Sequence, residues 1–146
     1  MALTRRRAQR TLAIIWALGF LLFFIVLIYE TLTMPLYRGK ESEVGGWFSP
    51  LFVPTVSLII GTLVAQAQEG GVQDSPADSF VFGFAVFVSL VYLGAVGATI
   101  LAAAWDSSIE PLKMSSWYLG IGQGVVTGLL GAFFVKKEPK KEGGAG

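Results

Sequence analysis

The chain contains no cysteine and no histidine among its 146 residues. The first absence removes disulfides, thiolate nucleophiles, zinc–thiolate sites and iron–sulfur clusters. The second removes the commonest general base, the usual haem ligand and the side chain that titrates nearest neutral pH. Charge is scarce as well: Asp, Glu, Lys and Arg make up 14% of residues, against about 25% in a water-soluble domain. Hydrophobic residues fill the gap, at 53% of the chain, and the mean hydropathy is +0.64. That balance belongs to a chain dissolved in lipid.

The few charges divide the chain into four uncharged runs, 11–29, 44–68, 79–105 and 114–135, of 19, 25, 27 and 22 residues. About 20 apolar residues carry a helix across the hydrocarbon core, and backbone in lipid must pair with itself. Strands of a barrel would be shorter, with a polar residue at every second position. The sequence therefore predicts an all-α membrane protein, a four-transmembrane-helix bundle. Its spans are expected over about 11–33, 47–68, 76–105 and 112–135, with basic tails at 1–10 and 136–146. The first run is too long for the core of a cleaved leader and no small-x-small site follows it, so it is expected to stay as an anchor.

Eight of the 11 basic residues lie in the two tails: Arg5, Arg6, Arg7, Arg10, Lys136, Lys137, Lys140 and Lys141. Basic residues stay on the cytoplasmic side, and four spans return both ends to one side. Both termini are thus expected to be cytoplasmic, in an inner or plasma membrane. The same eight residues suit contact with anionic lipid headgroups. Tyr37, Trp47, Trp105, Trp117 and Tyr118 would then form an aromatic belt at the outer interface.

Within the spans, the first is bulky all round and reads as lipid-facing. In the second, Pro54 lies deep enough to kink the helix. In the third, Ser75-Pro76-Ala77-Asp78 reads as an N-cap followed by proline at the first helical position. Gly94, Ala98 and Ala102 repeat at intervals of four and form a small-residue packing face. The fourth span has the strongest pattern. Gly120, Gly124 and Gly128 make a double G-x-x-x-G that Gly131 extends, and Ser116, Gln123 and Thr127 fall beside it. That stripe reads as a helix-packing seam or the lining of a pore, with Gln123 as its most polar group.

No Asp, Glu, Lys or Arg lies deep in any run; Glu30, at the edge of the first, comes nearest. Ion-coupled transport and proton relays normally need such a group. The small multidrug transporters would carry a mid-span carboxylate, and tetraspanins and claudins extracellular cysteines; the chain has neither. No nucleophile, base and orienter occur together, so the chain is not expected to be an enzyme, and no cofactor or metal site is expected. The basic tails lack the aromatics of a nucleic-acid surface, so no nucleic-acid partner is expected. The expected function is that of a non-catalytic multi-pass subunit, scaffold or anchor whose small-residue faces pack against other membrane helices. Its partners would be membrane lipid and either further copies of itself or other membrane subunits. The alternative is a homo-oligomeric pore or ion channel, holin-like or membrane-depolarising, lined by the fourth span.

Overall fold

The computed structural model describes residues 4–68 and 76–134. Four long helices account for most of them: α1 (Arg5–Thr33), α2 (Glu41–Gln68), α3 (Ser79–Asp106) and α4 (Glu110–Phe134). No strand occurs among the described residues; one isolated bridge pairs Thr4 with Pro76. Three of the helices, α1, α2 and α3, are long and apolar enough to cross a membrane.

Local signals explain where each helix starts. Thr4 caps α1, its hydroxyl accepting from the Arg7 amide at 3.4 Å. Residues 5–10 thus form the first turns of α1, where the sequence pointed to a basic tail. Charge limits how deep a helix can sit in lipid, and it does not stop the helix from continuing into water. For the same reason α2 begins at Glu41, six residues before the expected start. Its acidic first turn, with Glu41 and Glu43, complements the positive end of the helix dipole. The cap of α3 is Asp78, which accepts from the amides of Phe80 (2.8 Å) and Val81 (3.3 Å). The sequence had placed that cap at Ser75, outside the described residues. A carboxylate at Asp78 serves two orphan amides at once, so the helix starts three residues later. At α4 the Ser108 hydroxyl accepts from the Glu110 amide at 3.2 Å, with Pro111 in the first turn.

Between α1 and α2 a single 3-10 turn, Pro35–Tyr37, and Gly39 at φ 74° reverse the chain. Between α3 and α4 the reversal passes through Ser107, whose φ of 49° is the left-handed conformation common at helix C-termini. An ion pair of 2.9 Å joins Glu43 and Lys113, so α2 and α4 start at the same end of the bundle. Arg5 and Gln9 both donate to the Phe133 carbonyl, which sets the start of α1 beside the end of α4. The four helices therefore run up and down alternately.

Trp16 occupies the centre and is fully buried. It stacks on Tyr92, meets Phe52 edge-on with both centroids 5.9 Å away, and donates from Nε1 to the Ser89 hydroxyl. Phe48 stacks on Phe52 at 4.7 Å, and Phe20 packs beside both. So α1 is not lipid-facing all round: Ala8, Leu12, Trp16 and Leu27 turn inward, while Leu18, Leu22 and Ile25 remain exposed. Three glycines allow close helix approach. A Cβ at Gly19 would touch Leu93, one at Gly97 would press on Phe23, and one at Gly122 would press on the Tyr92 ring at 3.1 Å.

Candidate functional site

The residues singled out on α4 separate into two groups. Gln123 is buried and faces α2. Its Nε2 donates to the Thr55 hydroxyl at 2.6 Å and lies 3.4 Å from that of Thr127; the two threonine hydroxyls are 3.1 Å apart. Gln123 Oε1 is buried with no hydrogen-bond partner among the described residues. The glycine stripe faces away from this cluster. Gly120, Gly124 and Gly128 are exposed and Gly131 is half-buried, and a Cβ added at any of the four would meet nothing within 4 Å. Ser116, also exposed, donates to the Leu112 carbonyl of its own helix.

On α3, Gly94, Ala98 and Ala102 are likewise exposed, and a Cβ at Gly94 meets open space. Both small-residue stripes thus point out of the bundle. The close approaches inside it fall at Gly19, Gly97 and Gly122, which the four-residue spacing did not pick out. Helix α2 continues unbroken through Pro50 and Pro54. Lacking an N–H, each proline deprives the carbonyl four residues earlier, Gly46 and Pro50 respectively, of its regular donor.

Of the basic residues, Arg5 donates from Nε to the Phe133 carbonyl at 3.2 Å, a cation placed at the negative end of α4. Arg6, Arg7 and Arg10 are exposed on the first turns of α1. Lys136, Lys137, Lys140 and Lys141 lie outside the described residues. The expected aromatic belt divides: Trp105, Trp117 and Tyr118 are exposed, whereas Trp47 and Tyr37 are buried. Trp47 donates to the Ser115 hydroxyl at 2.9 Å and Tyr37 to the Glu30 carboxylate at 3.2 Å. Burial, reinforced by the Glu30 charge and that hydrogen bond, pushes the Tyr37 hydroxyl up to about 12.

Sequence reasoning missed a cleft of about 200 Å³ between the first turns of α2 and α4. Val44, Trp47, Ile109 and Leu112 form its apolar floor, and Glu43, Lys113, Gly46 and Ser116 surround the opening. The ion pair at its lip was invisible because 70 residues separate its partners. Among the described residues no group of three or more His, Cys, Asp and Glu side chains comes together to hold a metal ion. No protein-family model, no curated protein and no solved structure matches this chain.

Proposed function

We propose that the protein is a non-catalytic four-span membrane subunit that associates with other membrane helices through the outward stripe of α4. The observation that carries this reading is the exposed row Gly120, Gly124 and Gly128, with open space at each Cβ position. It runs for about 12 Å along the helix at 1.5 Å per residue. Between lipid-embedded helices the hydrophobic effect gives no net attraction. Association rests on close backbone approach, which such a row permits. Helix α4 itself is the fourth span: its 25 residues extend about 37 Å, and its charges, Glu110 and Lys113, are confined to the first turn. Both termini are cytoplasmic, in keeping with the basic ends of the chain.

A pore lined by Gln123 is the less favoured reading, because that amide faces Thr55 and Thr127 within one chain. A seam between chains and the interior polar cluster can coexist, since they occupy different faces of α4.

The chain lacks native cysteine, so single-cysteine variants report on it without background. In sealed vesicles, Ser42→Cys and Ser108→Cys should react with an impermeant maleimide from one side and Ala145→Cys from the other. Gly124→Leu should abolish chemical cross-linking to the neighbouring chain and leave the thermal midpoint of the bundle no lower than that of the wild type. Cross-linking that survives Gly124→Leu and Gly128→Leu would defeat the proposed seam.

A further inference from the structure

The cleft at the Glu43–Lys113 end joins an apolar floor to a charged lip. Its charged lip coincides with the boundary of the apolar spans, since the uncharged runs begin immediately after Glu43 and Lys113. Given the four-span reading, on which this inference rests, the cleft opens at headgroup level, between charged surface and hydrocarbon.

Three features define what fits there. An acid and a base sit 2.9 Å apart at the lip, about half exposed. Exposed pairs of this kind add little stability and open readily to other partners. Gly46 has no side chain, so it presents backbone to the cleft, and its carbonyl lacks a regular donor because Pro50 has no N–H. Behind these groups the floor is apolar, with Trp47 as its largest member.

We propose that this cleft is a binding site for a phospholipid with a primary-amine zwitterionic headgroup, phosphatidylethanolamine in class. The ammonium donates to the Glu43 carboxylate and to the Gly46 carbonyl. The phosphate, two methylenes away, pairs with Lys113. The glycerol and first methylenes lie over Trp47, Ile109 and Leu112. A quaternary ammonium has no N–H and cannot satisfy the Gly46 carbonyl, so phosphatidylcholine is the discriminating control.

The test is native mass spectrometry of the full chain released from nanodiscs containing equal amounts of phosphatidylethanolamine and phosphatidylcholine. One ethanolamine lipid should be retained per chain, in about tenfold excess over the choline lipid. Glu43→Gln should lower retention of the ethanolamine lipid by removing the charge that its ammonium meets. Gly46→Leu should remove the retained lipid; a Cβ there meets no atom within 4 Å, and an unfolding midpoint equal to the wild type in the same nanodiscs checks that the fold is kept. Equal retention of the two lipids, or retention unchanged in Gly46→Leu, would overturn the site. The same nanodiscs carry Val125→Cys, an exposed position in the middle of α4. Protection from a soluble maleimide together with lost lipid preference refutes the site alone. Rapid labelling at Val125 refutes both the fourth span and the site.

Discussion

Gln123 and Thr55 make unequal contributions to the interior polar cluster. Replacing Gln123 by Leu, of similar size, removes a buried oxygen without a partner and leaves the Thr55 and Thr127 hydroxyls paired with each other. Replacing Thr55 by Val removes the best acceptor of the Gln123 amide and leaves one of its buried N–H groups without a partner, with only the longer contact to Thr127 remaining. A stranded buried polar group costs about 1–3 kcal/mol, whereas an apolar swap of matching shape is close to neutral. Thermal unfolding in nanodiscs should therefore show Thr55→Val well below the wild type and Gln123→Leu near it. Tyr37 supplies a pH-dependent counterpart. Its hydroxyl is held up at about 12 in the folded chain against 10.0 for the free side chain, so folding favours the neutral phenol. That contribution is complete below pH 10 and is lost as pH rises towards 12. Unfolding midpoints followed across this window should fall more steeply for the wild type than for Tyr37→Phe.

At the level of the helix, two glycines two positions apart on α4 have opposite surroundings. A Cβ at Gly122 presses on the Tyr92 ring, while one at Gly124 meets open space. Gly124→Ala should raise stability by about 0.5–1 kcal/mol through reduced backbone freedom. Gly122→Leu should lower the unfolding midpoint by forcing α3 and α4 apart. A midpoint indifferent to Gly122→Leu would contradict the α3–α4 contact. The contrast also marks the limit of what the sequence reveals. Helix existence was legible, because runs free of charge are long enough to cross a bilayer and are separated by few charges. The direction each face points was not. In water, polarity distinguishes the outside of a helix from the inside; in lipid both are apolar, so the period of small residues shows that backbones approach closely without showing on which side. Hence the repeats at Gly94 and Gly120 stood out in sequence yet turn outward, while Gly97 and Gly122 carry the internal contacts. Helix starts were not legible for a related reason, since Arg5–Arg10 and Glu41–Glu43 continue their helices beyond the apolar runs.

Across the whole molecule, much of the apolar surface stays uncovered: Phe80, Trp105, Leu32 and Trp117 are each at least 70% exposed. Such exposure accords with the membrane setting proposed above, and the internal contacts are few enough to name. Among them is the clamp where Arg5 and Gln9 reach the Phe133 carbonyl from opposite ends of the chain. Gln9→Ala should lower the unfolding midpoint by an amount equivalent to about 1 kcal/mol, the net worth of a hydrogen bond. Full retention of the midpoint would show that Arg5 alone holds the carbonyl.

The clamp has a consequence for the order of synthesis. Arg5 and Gln9 are synthesised 128 and 124 residues before Phe133, so the buried Gln9 amide of α1 waits for its partner. Its final seat exists only once the fourth helix has emerged. A nascent chain halted before Glu110 would hold three helices and an open first turn, and the clamp would close only once α4 had been made.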